Sequence, residues 1–220
     1  MNYSEKELSY FSEEREDLYP FFNQFQGKIL DIGCGMGGFI NGLKKINKNK
    51  IEAWGIEPNV SEVKNISPQI DNFYQGFFDN VKHDIPLSYF DCICFNDVLE
   101  HLYSPEEMLE KVKPYLNNEG YIFASIPNFL FFPNLIDIVI NQNFEYTTQG
   151  ILDYTHIRFF TKKTIIKLFE NQGYEIETIQ GINYKLFNNM KIYKFLNFIT
   201  FNRLYDFRFM QFVVKAKLKT

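Results

Sequence analysis

The fold is decided by the stretch Ile29-Leu-Asp-Ile-Gly-Cys-Gly-Met-Gly-Gly-Phe-Ile40. Its apolar first half predicts a buried strand, and its glycines predict a tight turn that opens a helix. Gly33, Gly35 and Gly38 satisfy the spacing G-x-G-x-x-G, which is typical of dinucleotide sites. Glycines there let the backbone approach a ligand where the free N–H groups of a helix N-terminus point. The stretch therefore indicates a cofactor site between a strand and a helix.

Two acidic residues refine the kind of cofactor. Asp31 stands two residues before the first glycine, where its charge would repel a pyrophosphate and attract an ammonium. Glu57 ends the next predicted strand, where a carboxylate can accept hydrogen bonds from both hydroxyls of a ribose. These acids favour a cofactor that carries an amino acid over a nicotinamide dinucleotide.

Strand-like and helix-like segments alternate along the chain, which predicts an α/β fold with a mostly parallel sheet. The predicted strands are 28–32, 51–56, 72–75, 89–95, 120–126, 174–179 and 209–216. Helices are predicted at 4–24, from the glycine turn to about 46, from about 59 onward, and at 184–204. Two further helices are predicted to start at Ser104, with Glu107 as capping partner, and at Thr161, the latter ended by Gly173. We predict one domain over 1–220, made of an N-terminal helical cap (1–27), a cofactor-binding core (28–127), a lid (128–160) and a C-terminal part with the last two strands (161–220).

The composition excludes several classes of protein. Of the 220 residues, 45% are hydrophobic and 23% charged, which is too apolar for a disordered chain. The net charge of −4 argues against a DNA partner. Cys92 and Cys94 alternate on one strand face, so we expect a buried pair of free thiols in a reducing compartment. With no signal peptide pattern and no apolar stretch long enough to span a bilayer, the expected location is cytoplasmic.

The unusual feature is an aromatic content of 18%, much of it after residue 128. Residues 128–160 form a long insertion rich in Phe and Tyr, and loops longer than about 15 residues in a compact domain are usually functional. We therefore predict that this segment is a lid over an active site.

Three motifs carry a resemblance to a known family: LDIGCGMG (30–37), WGIEPN (54–59) and FDCICFNDVLEHL (90–102). They resemble the successive motifs of class I S-adenosylmethionine-dependent methyltransferases, and the resemblance covers nearly the whole chain. It implies a Rossmann-like, doubly wound, mostly parallel seven-stranded sheet with an antiparallel last strand. The implied cofactor is S-adenosyl-L-methionine.

The same resemblance implies which residues bind this cofactor. Asp31 would face its amino group, Glu57 its ribose, and Asn96 its methionine portion. Phe77 replaces the acid that the family often has near the adenine, so recognition there is expected to use stacking or the backbone. The full set of implied cofactor residues is Asp31, Gly33, Gly35, Gly37, Glu57, Pro58, Gly76, Phe77 and Asn96.

The lid motif Asp153-Tyr-Thr-His-Ile-Arg-Phe-Phe-Thr161, with 125–128 and 10–15, resembles a bacterial subgroup of these enzymes that is associated with sugar and cell-surface glycan pathways. The expected acceptor is therefore a small molecule or a sugar or lipid-linked glycan precursor, methylated on oxygen or nitrogen. Such an acceptor must lose a proton, which requires a base. We predict His156 or His101 as that base, with Arg158 orienting the acceptor or closing the lid. The equal alternative is that His156 and Arg158 only bind the loop backbone.

Two other functions use the same residues. Asp97, Glu100, His101 and His156 supply two carboxylates and two imidazoles, a reasonable ligand set for a divalent metal. The spacing is similar to the Glu-x-x-Glu-His pattern of metal-dependent small-RNA 2′-O-methyltransferases and quinone-pathway O-methyltransferases, with Asp97 in place of the first Glu. The preferred prediction contains no metal. The other alternative is a non-catalytic module that binds S-adenosylmethionine.

The last forty residues form a basic, aromatic tail. Residues 181–220 hold eight Lys or Arg and one acid, together with ten Phe or Tyr. Such a helix can lie on an anionic membrane, and aromatic side chains can stack on RNA bases. We favour a third reading, in which the helix packs on the sheet or on a second copy of the chain in a homodimer.

Overall fold

The structure, a computed structural model, describes residues 14–48, 50–59, 66–184 and 190–219. Its strands are β1 (Gly27–Ile32), β2 (Ile51–Glu57), β3 (Asn72–Gln75), β4 (Phe90–Asn96), β5 (Leu116–Pro127), β6 (Tyr174–Ile182) and β7 (Gln211–Leu218). Its α-helices are α1 (Gly38–Ile46), α2 (Phe78–Val81), α3 (Pro105–Val112), α4 (Phe132–Val139), α5 (Lys162–Asn171) and α6 (Met190–Ile199). Short 3-10 helices lie at Glu16–Phe22, Lys82–Asp84, Leu99–His101, Lys113–Tyr115 and Tyr205–Arg208.

All seven strands form one sheet in the order β3-β2-β1-β4-β5-β7-β6. β1 pairs in parallel with β2 and β4, and β7 runs antiparallel to both β5 and β6. The strand order reverses between β1 and β4, so a crevice opens beyond the carboxyl ends of these two strands. The predicted doubly wound sheet with an antiparallel last strand is confirmed.

The sheet is covered on both faces, because its central strands are apolar on both. In β1, Ile29 belongs to the cluster on one face and Leu30 to the cluster on the other, as alternation along a strand requires. Cys92 and Cys94 are buried free thiols whose Sγ atoms lie 3.6 Å apart, which confirms the expected pair. Phe22, from the segment before β1, packs its ring 4.5 Å from that of Phe123 on β5.

Several predicted elements differ from the structure. The described part of the predicted 4–24 helix is a 3-10 helix that contains Pro20, which cannot donate a backbone hydrogen bond; residues 1–13 lie outside the described chain. Ser104 makes no side-chain cap at α3, whereas Thr161 forms a capping box with Thr164 as expected. The predicted helix from 59 falls largely on 60–65, outside the described residues, and the last predicted helix reduces to α6 in the part that is described.

The lid segment, residues 128–160, is not wholly irregular as predicted. It contains α4, which begins with Pro133 in its first turn, where the missing N–H of proline is tolerated. Throughout the described ranges, no helix is both long and apolar enough to cross a bilayer.

Candidate functional site

The glycine turn, residues 33–37, follows β1 at the crevice. Gly33, Gly35 and Gly37 have φ values of +79°, +54° and +84°, a left-handed conformation that side chains with a Cβ disfavour. The amide of Gly33 donates to the carbonyl oxygen of Ile56 at 2.8 Å, which holds the turn against the end of β2. The turn therefore exposes a backbone surface directly before α1, in the place predicted from the sequence.

Glu57 orders this turn from the neighbouring strand. Its Oε2 accepts a hydrogen bond from the Gly35 amide at 3.1 Å, and its Oε1 accepts one from the Asn59 amide at 2.8 Å. Burial raises the pKa of the carboxyl, and these two hydrogen bonds oppose the shift. Besides the ribose contact implied by the resemblance, Glu57 thus has a structural role beside the half-buried Pro58.

Asp31 is a nearly isolated buried acid near the end of β1. Its side chain is 2% exposed, and its Oδ1 accepts no hydrogen bond from any residue that the structure describes. Burial raises its pKa to about 8, the negative charge of Glu57 adds to the shift, and the Arg15 guanidinium opposes it. An ammonium group placed here would supply the missing hydrogen bond and charge.

Asn96, the last residue of β4, also has buried polar atoms that lack hydrogen bonds to other described residues. Its Oδ1 and Nδ2 are both buried without a hydrogen-bond partner in the described part of the chain. Since Asp31 pairs in register with Cys94 on β4, Asp31 and Asn96 lie on neighbouring strands at one edge of the sheet. Buried polar groups in proteins are nearly always satisfied, so these two indicate a polar ligand between the ends of β1 and β4.

Gly76 and Phe77 lie beyond β3 on the same edge of the sheet. The amide of Gly76 donates to the carbonyl oxygen of Glu57 at 3.1 Å, so it is connected to the same group of residues. The ring of Phe77 is 67% exposed. A ring with a free face suits stacking against a flat heterocycle, as expected from the absence of an acid here.

Three polar side chains converge after β4: Glu100, His101 and His156. One ligand atom from each lies within 4.8 Å of the others, and the two imidazole rings are 4.7 Å apart between centroids. The Nδ1 atom of His101 lies 3.0 Å from the Thr155 carbonyl oxygen, and that of His156 lies 3.0 Å from the Ile151 carbonyl oxygen. Because a carbonyl oxygen only accepts, each Nδ1 carries a proton, so in the neutral form of each ring the lone pair is on Nε2.

Glu100 is the most buried member of this cluster, at 1% exposure. Its carboxylate accepts no hydrogen bond within the described residues, and its Oε1 lies 3.8 Å from Nε2 of His156. Burial raises the pKa of Glu100 to about 8, while the Arg15 guanidinium opposes the shift. Sequence reasoning considered Glu100 only as a metal ligand; its position beside His156 also suits it to stabilise an imidazolium.

The lid segment reaches the cluster through its backbone. The carbonyl oxygen of Glu100 accepts hydrogen bonds from the amides of Ile157 and Arg158, both at 3.0 Å. The carboxylate of Asp153 accepts from the amide and the hydroxyl of Thr155, at 2.9 and 2.7 Å, which shapes the loop that carries His156. The lid aromatics divide: Phe131, Phe132 and Phe160 are buried, whereas Phe144, Tyr146 and Phe159 are exposed.

Arg158 does not join the histidines. Its guanidinium is exposed and donates to the carbonyl oxygens of Ile157, at 3.2 Å, and of Tyr103. This geometry favours the alternative in which Arg158 holds the loop over a direct role at the acceptor. His83, on the 3-10 helix after α2, is exposed as expected and lies outside the site.

Asp97 does not join the proposed metal ligands either. Its carboxylate forms an ion pair with Arg15 and accepts a hydrogen bond from Gln211, so only Glu100, His101 and His156 of the four predicted ligands come together. Arg15 also donates to Ser125 Oγ at 3.3 Å. Sequence reasoning assigned this arginine no role in the site, although it ends the 10–15 motif and is the lone cation of the acidic run 13–17.

With this geometry in place, comparisons with known proteins identify the class. The sequence profile of a family described as a methyltransferase domain matches residues 5–179. A solved structure of an S-adenosylmethionine-dependent methyltransferase from Archaeoglobus fulgidus superposes with a TM-score of 0.63 at 20% identity, covering 90% of this chain and 89% of that one. The chain belongs to the S-adenosylmethionine-dependent methyltransferase family.

Curated relatives match this chain over a smaller share of their own length. A mitochondrial ubiquinone biosynthesis O-methyltransferase from Dictyostelium discoideum is 20% identical over 184 residues, covering 78% of this chain and 57% of the relative. A tRNA U34 carboxymethyltransferase from Campylobacter lari is 24% identical over 156 residues, covering 55% of this chain and 50% of the relative. The chain spans about half the length of the curated relatives it matches.

The residues present fit the cofactor of this family. Asp31 and Asn96 leave buried polar atoms that an α-amino acid group can satisfy, and the glycine turn between them presents its backbone before α1. Glu57 presents a carboxylate at the end of β2, and the exposed Phe77 follows the neighbouring strand β3.

Proposed function

We propose that the protein transfers a methyl group from S-adenosylmethionine to a hydroxyl oxygen of a small-molecule acceptor. The bound cofactor would supply an electrophilic methyl group on a sulfonium. Asp31 and Asn96 would hold its amino acid part, Glu57 its ribose, and Phe77 its adenine. The observation that carries the acceptor side is the convergence of Glu100, His101 and His156 within 4.8 Å beyond β4.

The cluster supports proton removal from a hydroxyl. Nε2 of His156 has a lone pair that can accept the proton the acceptor oxygen loses as its bond to the methyl carbon forms. The resulting imidazolium would lie 3.8 Å from Oε1 of Glu100, and the ionised form of this buried carboxyl would stabilise the positive charge. The hydrogen bond from Nδ1 to the Ile151 carbonyl keeps the ring in the required tautomer. His101 also has its Nδ1 on a carbonyl oxygen, that of Thr155, at 3.0 Å.

The test measures S-adenosylhomocysteine formed by the full chain with a panel of hydroxylated aromatic rings, sugar precursors, a short RNA and amines. We expect turnover with a hydroxyl acceptor. His156→Gln should lower kcat by about 10²- to 10⁴-fold with unchanged affinity for S-adenosylhomocysteine. His83→Gln, which changes an exposed histidine outside the site, should leave both unchanged. Turnover only with amines, or cofactor binding without any turnover, would contradict the proposal.

A second candidate is a metal-dependent O-methyltransferase, and the same cluster favours it. Two Nε2 lone pairs and a carboxylate form a reasonable ligand set for a divalent cation, which would then polarise the acceptor oxygen in place of a base. The O-methyltransferase names of several relatives agree with either chemistry.

Calorimetric titration of chelator-treated protein with Mg²⁺ and Zn²⁺ separates the two candidates. Binding that Glu100→Gln abolishes and that the exposed Glu106→Gln retains, together with a rate lost on chelation, would support the metal. A rate that chelators leave unchanged would exclude it and leave the histidine base.

A further inference from the structure

The helix α6 presents an outer face that nothing in the described chain covers. Its inner side is defined by Tyr193, whose ring packs 5.4 Å from that of Phe132 on α4 and whose hydroxyl donates to the Tyr205 carbonyl at 3.2 Å. The opposite side carries exposed apolar side chains, which we call the α6 face: Ile192, Phe195, Phe198, Ile199 and, in the following turn, Phe201. Apolar patches of this kind usually mark an interaction site.

Phe201 is the most exposed residue of the α6 face. Its side chain is 89% exposed, and its backbone has a φ of +52°, in the left-handed region that bulky residues rarely adopt. Phe198 is 78% exposed on the last turn of α6. In water, asparagine would suit the Phe201 backbone better and would expose no ring. The exposed ring of Phe201 therefore indicates contact with an apolar surface.

The charge around the α6 face is positive in an otherwise acidic chain. Residues 190–208 hold four basic side chains and one acid, Asp206, which forms an ion pair with Lys162 at 3.3 Å. Lys191 and Lys194 are exposed and precede Phe195 and Phe198 by four residues, so the lysines lie beside the rings on the helix surface. The chain as a whole has a net charge of −4.

We propose that the α6 face docks on an anionic lipid bilayer. The aromatic and aliphatic side chains would enter the region between headgroups and acyl chains, and the lysines would contact lipid phosphates. Charge complementarity favours this occupant over a second copy of the chain, because a two-fold interface would place the lysines of both copies against each other. The isoleucines of the face also suit acyl chains, whereas they cannot stack on RNA bases.

Docking on this side would orient the active site. The lid segment is joined to the α6 region at its first residue, since Asn128 Nδ2 donates to the carbonyl oxygens of Asp206 and Phe209 at 3.1 and 2.9 Å. α4 of the lid packs on Tyr193. A bilayer in contact with α6 would therefore lie on the side of the molecule where the lid begins.

The test is co-sedimentation of the full chain with vesicles of phosphatidylglycerol and phosphatidylcholine, compared with phosphatidylcholine alone. We expect binding to the anionic vesicles that salt weakens. Phe201→Asn should weaken it by about tenfold without lowering the thermal stability, because asparagine accepts the left-handed backbone. Leu87→Asn removes another exposed apolar side chain, one outside the α6 face, and this variant should bind like the wild type.

Two double variants that reverse charge complete the experiment. Lys191→Glu with Lys194→Glu should abolish binding to anionic vesicles, while Lys163→Glu with Lys167→Glu, the same charge change on α5, should retain it. Equal binding to neutral and anionic vesicles, or equal loss in both charge variants, would overturn the proposal. So would a lipid-free dimer that Phe201→Asn dissociates, which would make a second copy the occupant.

Discussion

Arg15 Nη1 contacts Asp97 Oδ2 in an ion pair between residues 82 positions apart in the sequence. The arginine comes from the segment before β1, and the aspartate directly follows Asn96 at the end of β4. Arg15 also lowers the pKa values of the buried carboxyls of Asp31 and Glu100, opposing the effect of their burial. A residue that touches neither cofactor nor acceptor in the proposed site therefore influences both sides of it.

Arg15→Ala should lower the free energy of unfolding by about 1–3 kcal/mol, because it removes hydrogen bonds from a nearly buried charged group. Chemical denaturation measures this change. Lys45→Ala, which breaks the exposed pair with Glu14, should cost only about 0–1 kcal/mol. Equal effects of the two substitutions would show that the Arg15 pair has no special structural weight.

The stability of the cofactor-free protein should fall as pH rises through the neutral range. The pKa of the Asp31 carboxyl is 3.8 in its ordinary state and about 8 in the folded chain, so the folded state retains a proton that the unfolded state loses. Its contribution to stability is thus complete below the ordinary pKa and is lost as pH rises through the folded one. Denaturation curves from acid to mildly alkaline pH should show this slope, and Asp31→Asn should reduce it. A slope that this variant leaves unchanged would contradict the assignment.

Cofactor affinity should have the opposite pH dependence. Because the ammonium of the cofactor requires the carboxylate form of Asp31, binding near neutral pH releases a proton. The affinity for S-adenosylhomocysteine should rise by up to about tenfold per pH unit between about pH 6 and 7.5. Calorimetry in buffers of different ionisation enthalpy measures the released proton directly. In Asp31→Asn, binding should be weaker and should release no proton; unchanged proton release in this variant would exclude Asp31 as the source.

Gly33→Ala tests the close approach of the glycine turn to the chain after β4. A Cβ at Gly33 would lie 2.5 Å from Cγ2 of Val98, whereas a Cβ at Gly150, which also has a positive φ of +87°, would meet nothing within 4 Å. Both substitutions to alanine should cost about 1–2 kcal/mol for the backbone, and Gly33→Ala should cost about 1–3 kcal/mol more for the clash. Combining Gly33→Ala with Val98→Ala should destabilise less than the sum of the two changes. A strictly additive result would disprove the clash.

Glu57→Ala should disturb the glycine turn and weaken S-adenosylhomocysteine binding together, by about 1–3 kcal/mol in affinity. Glu57→Gln keeps one accepting oxygen and should fall between this variant and the wild type. Hydrogen exchange of the Gly35 amide, which donates to Glu57 at 3.1 Å, should accelerate in Glu57→Ala. The exposed Glu106→Ala serves as control. Normal exchange and affinity in Glu57→Ala would remove both proposed roles.

The sheet could be predicted because its signals are local. Apolar runs, glycine turns and caps act within a few residues, and the predicted β3 agrees with the structure at both ends. β5 begins earlier than expected, at Leu116, which pairs with Phe90 on β4. The register then shifts, and regular pairing resumes between Cys92 and Tyr121. An irregular pairing of this kind leaves no alternating pattern of apolar and polar residues in the sequence.

The residues of the candidate site also differ in whether a local sequence signal marks them. Asp31 and Glu57 could be recognised because they adjoin the strand ends that the motifs define. Arg15 could not, since its partners Asp97, Ser125 and Gln211 come from three distant parts of the chain. The metal hypothesis included Asp97 for its spacing, and only the tertiary structure shows that Arg15 engages it instead.

The carbonyl oxygen of Glu100, which accepts from two consecutive lid amides, has a consequence for kinetics. Lifting the loop at residues 157–158 breaks both hydrogen bonds, at a net cost of about 1–3 kcal/mol, so the raised loop is a minor population. If the acceptor enters and the product leaves along this route, the frequency of loop opening sets an upper limit on turnover. Because the same residue carries the buried carboxyl beside His156, each opening event would also disturb the proposed acceptor site. Faster release of product would therefore require a less ordered cluster.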